Sequence, residues 1–289
     1  MNNSEELRAL LAFYIEAGVD VAVAEAPVDW LNAPLARTRA AEPLVLPHRA
    51  GPIAPPAGAA QAAPRPAALE PRPAAPAGPA ALSDAAMSAR EIASACASLD
   101  ELRAALGRFE ACPLKRTATT TVIGDGNPGA VIMLVGEAPG AEEDRQGLPF
   151  VGPAGKLLDR MLGAIGLDRT RVYITNVLPW RPPGNRTPTA DEIITCQPFV
   201  ERQIELIAPK VLILVGGISA KALLNSGEGV TRLRGRWYEY RTSGLKAPIP
   251  ATAIFHPAYL LRQNAAKREA WRDLLEIEAR LKPVLAAPP

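Results

Sequence analysis

Residues 136–155 read GEAPGAEEDRQGLPFVGPAG, a glycine-rich stretch in which backbone N–H groups can approach a ligand closely. The stretch is neither GxxxxGK[ST] nor GxGxxG, so a nucleotide cofactor is disfavoured. Phe150 lies inside it, either plugging the core beneath the loop or stacking on a planar ligand. Asn176 follows a β-branched run and is a poor strand former. It either satisfies a turn or reads an amide-like edge, since its side chain offers one acceptor and two donors. His256 is one of 2 histidines, the other being His48. Pro257 after it favours an extended or turn conformation. His256 either caps a backbone carbonyl or acts on a ligand.

These residues need a frame. Residues 131–135 (VIMLV), 172–176 (VYITN), 210–215 (KVLILV) and 249–255 (IPATAIF) read as strands, the first a continuous apolar run suited to burial on both faces. Helical spacing predicts helices over 154–165, 219–224 and 264–281, the last with Trp271, Leu274, Leu275 and Ile277 inward. Capping boxes at Ser98/Glu101 and Thr189/Glu192 open two more helices, the second expected to be disturbed at Pro198. Strands alternating with helices imply parallel pairing with right-handed crossovers. The expected fold is therefore α/β, a three-layer sandwich around a central four-stranded, mostly parallel sheet. Ligands of such sheets bind beyond the carboxyl ends of the strands. Those ends are residues 136–140, Asn176, Gly216-Gly217 and His256, converging on one rim as a pocket.

The rest of the chain divides by composition. Residues 40–82 hold 16 Ala and 11 Pro, too little large apolar surface to offset ordering entropy, so 40–84 is expected to be a disordered tether. Residues 1–39 form a small N-terminal segment with an amphipathic helix over 4–17, and 85–289 the main domain. The 289 residues carry a net charge of +2, which excludes a polyanion binder built on charge alone. Residues 85–289 nevertheless carry an excess of 5 basic side chains, weakly favouring an anionic partner there. The acidic N-terminus without a long apolar stretch, and 3 cysteines, point to a soluble cytoplasmic protein without a disulfide framework.

The motifs GEAPG…ED.QG.PFVG.AG.LLD.ML..IGL.R..VYITN, RPP.NR.P and HPAYLLR together resemble the family-four uracil-DNA glycosylases of bacteria and archaea, from about Cys112 to the closing helix. The resemblance implies excision of uracil from DNA by base flipping in base-excision repair. It implies that Phe150 stacks on the base and that Asn176 pairs with its edge. His256 would place positive potential at uracil O2, and backbone groups of Gly136, Ala138, Pro139 and Gly140 would hold the other carbonyl. Glu137 would position water or steady the sugar. Ala138 stands where the more familiar glycosylase pattern has an aspartate, and Gly140 where it has a tyrosine. DNA contacts are expected from Leu260 or Leu261 as a wedge and from Arg262, Arg181, Arg186 and Arg234 on loops. A catalytically inactive DNA-binding relative is the alternative. The expected partners are uracil-containing DNA and a repair or replication protein reached through the N-terminal helix, and the protein is expected to be a monomer.

The resemblance also implies a [4Fe–4S] cluster on four cysteines, and here the chain departs. Cys112 and Cys196 match two ligand positions, but Phe109 and Trp180 occupy the other two. A cubane cluster wants four thiolates, so none is expected, with the two aromatic residues filling the volume.

Overall fold

The computed structural model describes residues 79–286. The N-terminal helix and most of the tether expected from the sequence lie outside the described residues. Helix α1 (Pro79–Ala95) begins inside the span assigned to the tether. It is followed by α2 (Leu99–Arg108), where Ser98 accepts the Glu101 N–H while the Glu101 carboxylate reaches back to Ala97 N at 2.7 Å.

The sheet has six strands where four were expected. Their order is β1-β3-β2-β4-β6-β5. The four expected strands, β2 (Ile132–Gly136), β3 (Tyr173–Asn176), β4 (Val211–Val215) and β6 (Ile249–Ile254), form its parallel centre. Two antiparallel strands close the edges: β1 (Asp125–Gly126) and β5 (Trp237–Tyr240). The first is too short to leave a periodic signal. The second has an edge position, so only Tyr240 of its four residues is buried and its sequence lacks a continuous apolar run.

Side chains alternate across the central strands. Met133 and Val135 face a core with α1, α2, α5 (Ala190–Ile207) and α6 (Gly217–Leu224). Ile132 and Leu134 face a second core with α4 (Pro153–Gly163), α8 (Pro257–Arg262) and α9 (Lys267–Ala286). Two short helices, α3 (Ala141–Gln146) and α7 (Val230–Leu233), lie between these elements in sequence. The three-layer sandwich is thus as expected. Helix α5 runs through Pro198 without a break; the proline is buried, and packing around it offsets the lost hydrogen bond. On α9 the inward face is Ala270, Leu274, Ile277 and Leu281, whereas Trp271 and Leu275 are exposed, contrary to the expectation from spacing. Among the described residues no helix is long and apolar enough to cross a membrane.

Arg234 was expected on a DNA-facing loop, but it is committed to the fold. Its guanidinium bonds both Asp273 carboxylate oxygens at 2.8 and 2.9 Å, reaches Glu269 at 3.0 Å, and lies 4.9 Å over the Phe255 ring. These contacts tie α9 to the residue that follows β6. Asp273 is 5% exposed, so removing its partner strands a buried carboxylate. Arg234→Ala is expected to cost about 3–5 kcal/mol in urea unfolding, the range for breaking one side of a buried ion pair, while the folded fraction binds DNA as the wild type does.

Candidate active site

A cavity of about 450 Å³ opens at the carboxyl ends of β2, β3 and β6. Three of the four expected strand ends line it: residues 137–140 after β2, Asn176 at the end of β3, and His256 after β6. The fourth, Gly216 after β4, backs the site instead. It adopts φ +100°, and a Cβ there would come within 3.1 Å of the His256 Cβ. The remaining wall is the arm Pro182, Asn185, Arg186 and Thr187, together with Tyr259 and Arg262 of α8.

The glycine-rich stretch is not one open loop. Residues 141–146 coil into α3, and the side chain of Glu143 turns back on the stretch around it. Its carboxylate accepts from Gly140 N at 3.1 Å, Val151 N at 2.9 Å and Gly152 N at 2.8 Å. One buried carboxylate therefore joins the arm carrying Glu137 to the arm carrying Phe150. A Cβ at position 140 would meet Glu143 Oε2 at 2.7 Å, which accounts for the glycine. Sequence reasoning missed Glu143, although a glutamate three residues after an N-cap was the available signal.

Phe150 is held from the opposite side. Arg169 donates to the carbonyl oxygens of Pro149 and Phe150 and is itself held by Asp125 and Asp159. Phe150 has φ +54°, a conformation non-glycine residues adopt only where surroundings impose it. A Cβ on Gly155 would overlap the Phe150 carbonyl, so α4 approaches this closely only through glycine. The Phe150 ring packs into the second core, the first of the two readings left open by the sequence, and it also lines the cavity. Its centroid is 5.6 Å from that of His256. A Cβ on Gly136 would overlap both the Phe150 ring and Asn176 Oδ1, so the three residues meet at one point.

The electrostatics of the cavity are specific. Asn176 is 4% exposed and its Oδ1 is buried with no hydrogen-bond partner. A buried acceptor left open costs free energy until a donor arrives. His256 caps α8: its Nδ1 accepts the Ala258 N–H at 3.1 Å. That bond places the ring proton on Nε2. Burial lowers the His256 pKa to about 4, with Arg262 adding to the shift and Glu143 opposing it. The imidazole is thus a neutral N–H donor, so the positive potential implied by the resemblance would come from its N–H dipole rather than from a full charge. Burial also pushes the Glu137 carboxyl upward.

The expected DNA contacts divide. Leu260 is 1% exposed and belongs to the second core, so it cannot wedge into a duplex; Leu261, 43% exposed, is the free one. The HPAYLLR segment is a helix, α8, where a loop was expected. Arg262 lies on the cavity rim. Arg181 bonds Asn185 Oδ1 at 2.7 Å. Arg186 also lines the cavity and is paired in two-pronged fashion with Glu192 at 2.6 and 2.9 Å. Glu192 also closes the capping box of α5, so the arm is fixed by the start of that helix. Asn185, with φ +55° in the Gly184-Asn185 turn, reaches the cavity and was missed because a turn asparagine has no distinguishing pattern.

Away from the cavity, the four positions at which the resemblance places cluster ligands do come together. Cys112 and Cys196 are buried with sulfurs 3.5 Å apart, the Cys196 thiol donating to Cys112. That contact lowers the Cys112 pKa and raises that of Cys196. Phe109 and Trp180 stack with centroids 6.4 Å apart, and Phe109 meets Phe199 edge-on at 4.9 Å. Trp180 is 1% exposed, and its ring N–H is satisfied by Thr121 Oγ1 at 3.1 Å. The donor set is two thiols, and aromatic rings stand at the other two positions. These residues do not fit a four-thiolate cluster.

Comparison with known proteins agrees with the geometry. The family model described as "Uracil DNA glycosylase superfamily" matches residues 123–275. The type-4 uracil-DNA glycosylase of Archaeoglobus fulgidus is 42% identical over 184 residues, which is 62% of this chain and 92% of that protein. That of Thermotoga maritima is 41% identical over 175 residues, 60% of this chain and 88% of its own length. The type-5 uracil-DNA glycosylase of Thermus thermophilus is 36% identical over 169 residues, 53% and 74% of the two chains. With the site residues converging as described, the chain belongs to the uracil DNA glycosylase superfamily, on its type-4 branch.

Proposed function

We propose that the protein flips uracil out of DNA into the cavity and hydrolyses its N-glycosidic bond. The observation that carries this reading is the buried, unpaired Asn176 Oδ1 in a residue that lines one cavity with Phe150 and His256. Uracil presents an N3–H donor to that oxygen and a carbonyl to the amide N–H of the same side chain. Cytosine presents an acceptor and a donor in those places, so both bonds would fail. Mismatched buried polar groups discriminate strongly because neither partner finds water. Phe150 supplies the stacking face.

The bond to be broken joins uracil N1 to the sugar C1′. Water adds at C1′ as the C1′–N1 bond breaks and the base departs as an anion; the proton the water sheds leaves to solvent, and the uracil anion takes one up in turn. The Nε2–H of neutral His256 points its dipole at the oxygen where that charge gathers, with the backbone N–H groups of Glu137 and Ala138 assisting at the other carbonyl. Glu137 holds the water or faces the cationic sugar, for which it must be ionised. Leu261 fills the gap left by the flipped base, and Arg262, Arg181 and Arg186 contact the phosphate backbone. The free thiols suit a reducing compartment, and we place the protein in the cytoplasm as a monomer. With Glu137, Phe150, Asn176 and His256 all at the cavity, the inactive binding-module alternative has no observation in its favour.

The direct assay is alkaline strand cleavage after incubation with a uracil-containing oligonucleotide. The wild type is expected to cut, and Asn176→Ala and His256→Ala each to lose roughly 10²–10³-fold in rate, as when a donor aimed at developing charge is removed. Wild-type protein that binds the oligonucleotide without releasing uracil would falsify the assignment.

The rate should also report its titrating groups. His256 stays neutral until pH approaches about 4, so no loss of rate on raising the pH from 6 to 8 belongs to it. Glu137 protonates above the ordinary carboxylate range, so the acid limb should start early and vanish in Glu137→Gln, whose rate is low at all pH values. The buried neutral histidine also sets stability. Unfolded histidine takes a proton below about 6.5, so this contribution is complete above that pH and is lost as pH falls toward about 4.

We further propose that the protein needs no iron–sulfur cluster, its place being taken by the ring stack and thiol pair. Anaerobically purified protein is expected to contain substoichiometric iron, to lack visible charge-transfer absorbance, and to melt at the same temperature with or without chelator. Stoichiometric iron and sulfide would overturn this.

A further inference from the structure

The segment α8 separates two cavities. Tyr259 and Arg262 face the cavity described above, while Leu260 and Leu261 face a second groove of about 300 Å³ formed with α4 and α9. Its walls include Leu157, Met161, Leu261 and Trp271, and its rim carries Arg160 and Lys267. Trp271 is 44% exposed and Leu261 43%. Trp271 is not needed to hold α9 down, since Ala270, Leu274 and Ile277 do that. The nearby acids are engaged away from the groove wall: Glu269 and Asp273 share Arg234, and Asp159 pairs with Arg169. Arg160 and Lys267 have no ion-pair partner among the described residues, and the groove wall carries no acid, so its own charged side chains are both cationic.

We infer that this groove binds the single-stranded DNA continuing from the flipped nucleotide, with an unpaired base stacked on Trp271 and flanking phosphates on Lys267 and Arg160. The inference rests on the reading of the first cavity as the uracil site. Three features favour nucleic acid over other occupants. An aromatic face beside free cations is the combination that binds single strands without reading sequence. The rim charges are opposite to those of phosphate. One helix, α8, divides the groove from the uracil cavity and lines both, and its exposed Leu261 belongs to both the wedge and the groove wall.

The test uses the full chain and two readouts. Steady-state excision is measured on a uracil-containing single strand. Trp271→Ala is expected to raise KM about tenfold, within the range for losing one base–aromatic stack, with kcat unchanged. Trp271→Phe keeps most of the affinity. Anisotropy of a labelled, uracil-free single strand is then measured against salt. Lys267→Ala is expected to flatten the slope of log K against log salt by about 0.7, one phosphate contact on a single strand. The residues are exposed, so unchanged circular dichroism and melting temperature confirm that the variants fold. A wild-type KM and wild-type binding in Trp271→Ala overturn the inference; so does an acidic apolar peptide competing for the groove without displacing the DNA. If the wild type excises nothing, the proposed function falls, and the uracil-free strand still decides the groove.

Discussion

The carboxylate of Glu143 bonds three backbone N–H groups belonging to two separate pieces of chain, Gly140 on one and Val151 and Gly152 on the other. Without that bridge, the arm after β2 and the arm bearing Phe150 would be two independent glycine-rich segments with high conformational entropy. With it they form the two sides of one cavity. The other restraints work on the same geometry. Arg169 pulls the Phe150 carbonyl from below, Gly155 lets α4 approach, and Gly136 leaves room for the Phe150 ring against Asn176. The left-handed backbone at Phe150 is sustained by this set of contacts rather than by local preference.

A fixed cavity matters because of how charge is handled in it. A permanently charged imidazolium beside an apolar wall would carry a desolvation cost before any substrate arrived. The fold avoids it by letting the Ala258 N–H fix the tautomer of His256 and by burying the ring, which keeps the imidazole neutral. A neutral N–H held in place still stabilises a nascent anion, because its dipole needs no reorganisation during the reaction. Asn176 follows the same logic: its acceptor is buried and unpaired, so a ligand that brings it a donor gains the free energy of satisfying it.

The region where the resemblance places cluster ligands holds two rings and two thiols. Phe109, Cys112, Trp180 and Cys196 come from the end of α2, the segment after it, the stretch following β3, and α5. Joining these segments is a task either a cluster or a dry contact can perform. Here the rings stack, the thiols share one hydrogen bond, and Thr121 satisfies the indole N–H. The same contacts anchor the chain just ahead of the arm that carries Asn185 and Arg186 to the cavity.

The central strands, the two capping boxes and the convergence of Asn176 and His256 were legible in the sequence, because continuous apolar runs and cap residues act locally and parallel sheets put their loops on one rim, whereas Phe150 joined them only through the family resemblance. What was not legible depends on partners distant in the chain. Arg234 and Leu260 look like DNA contacts by type and neighbourhood, yet Asp273 claims the first and the second core the second. Spacing placed Trp271 and Leu275 inward, but the neighbouring helices cover a different stripe of α9. The charge state of His256 and the clamp of Glu143 were equally out of reach. Residue type and period thus determined which elements form and where a ligand would sit. Tertiary structure alone decided which polar groups are spent on the fold and which are left open to substrate, because desolvation and pairing depend on every segment packed around a group rather than on its neighbours in sequence.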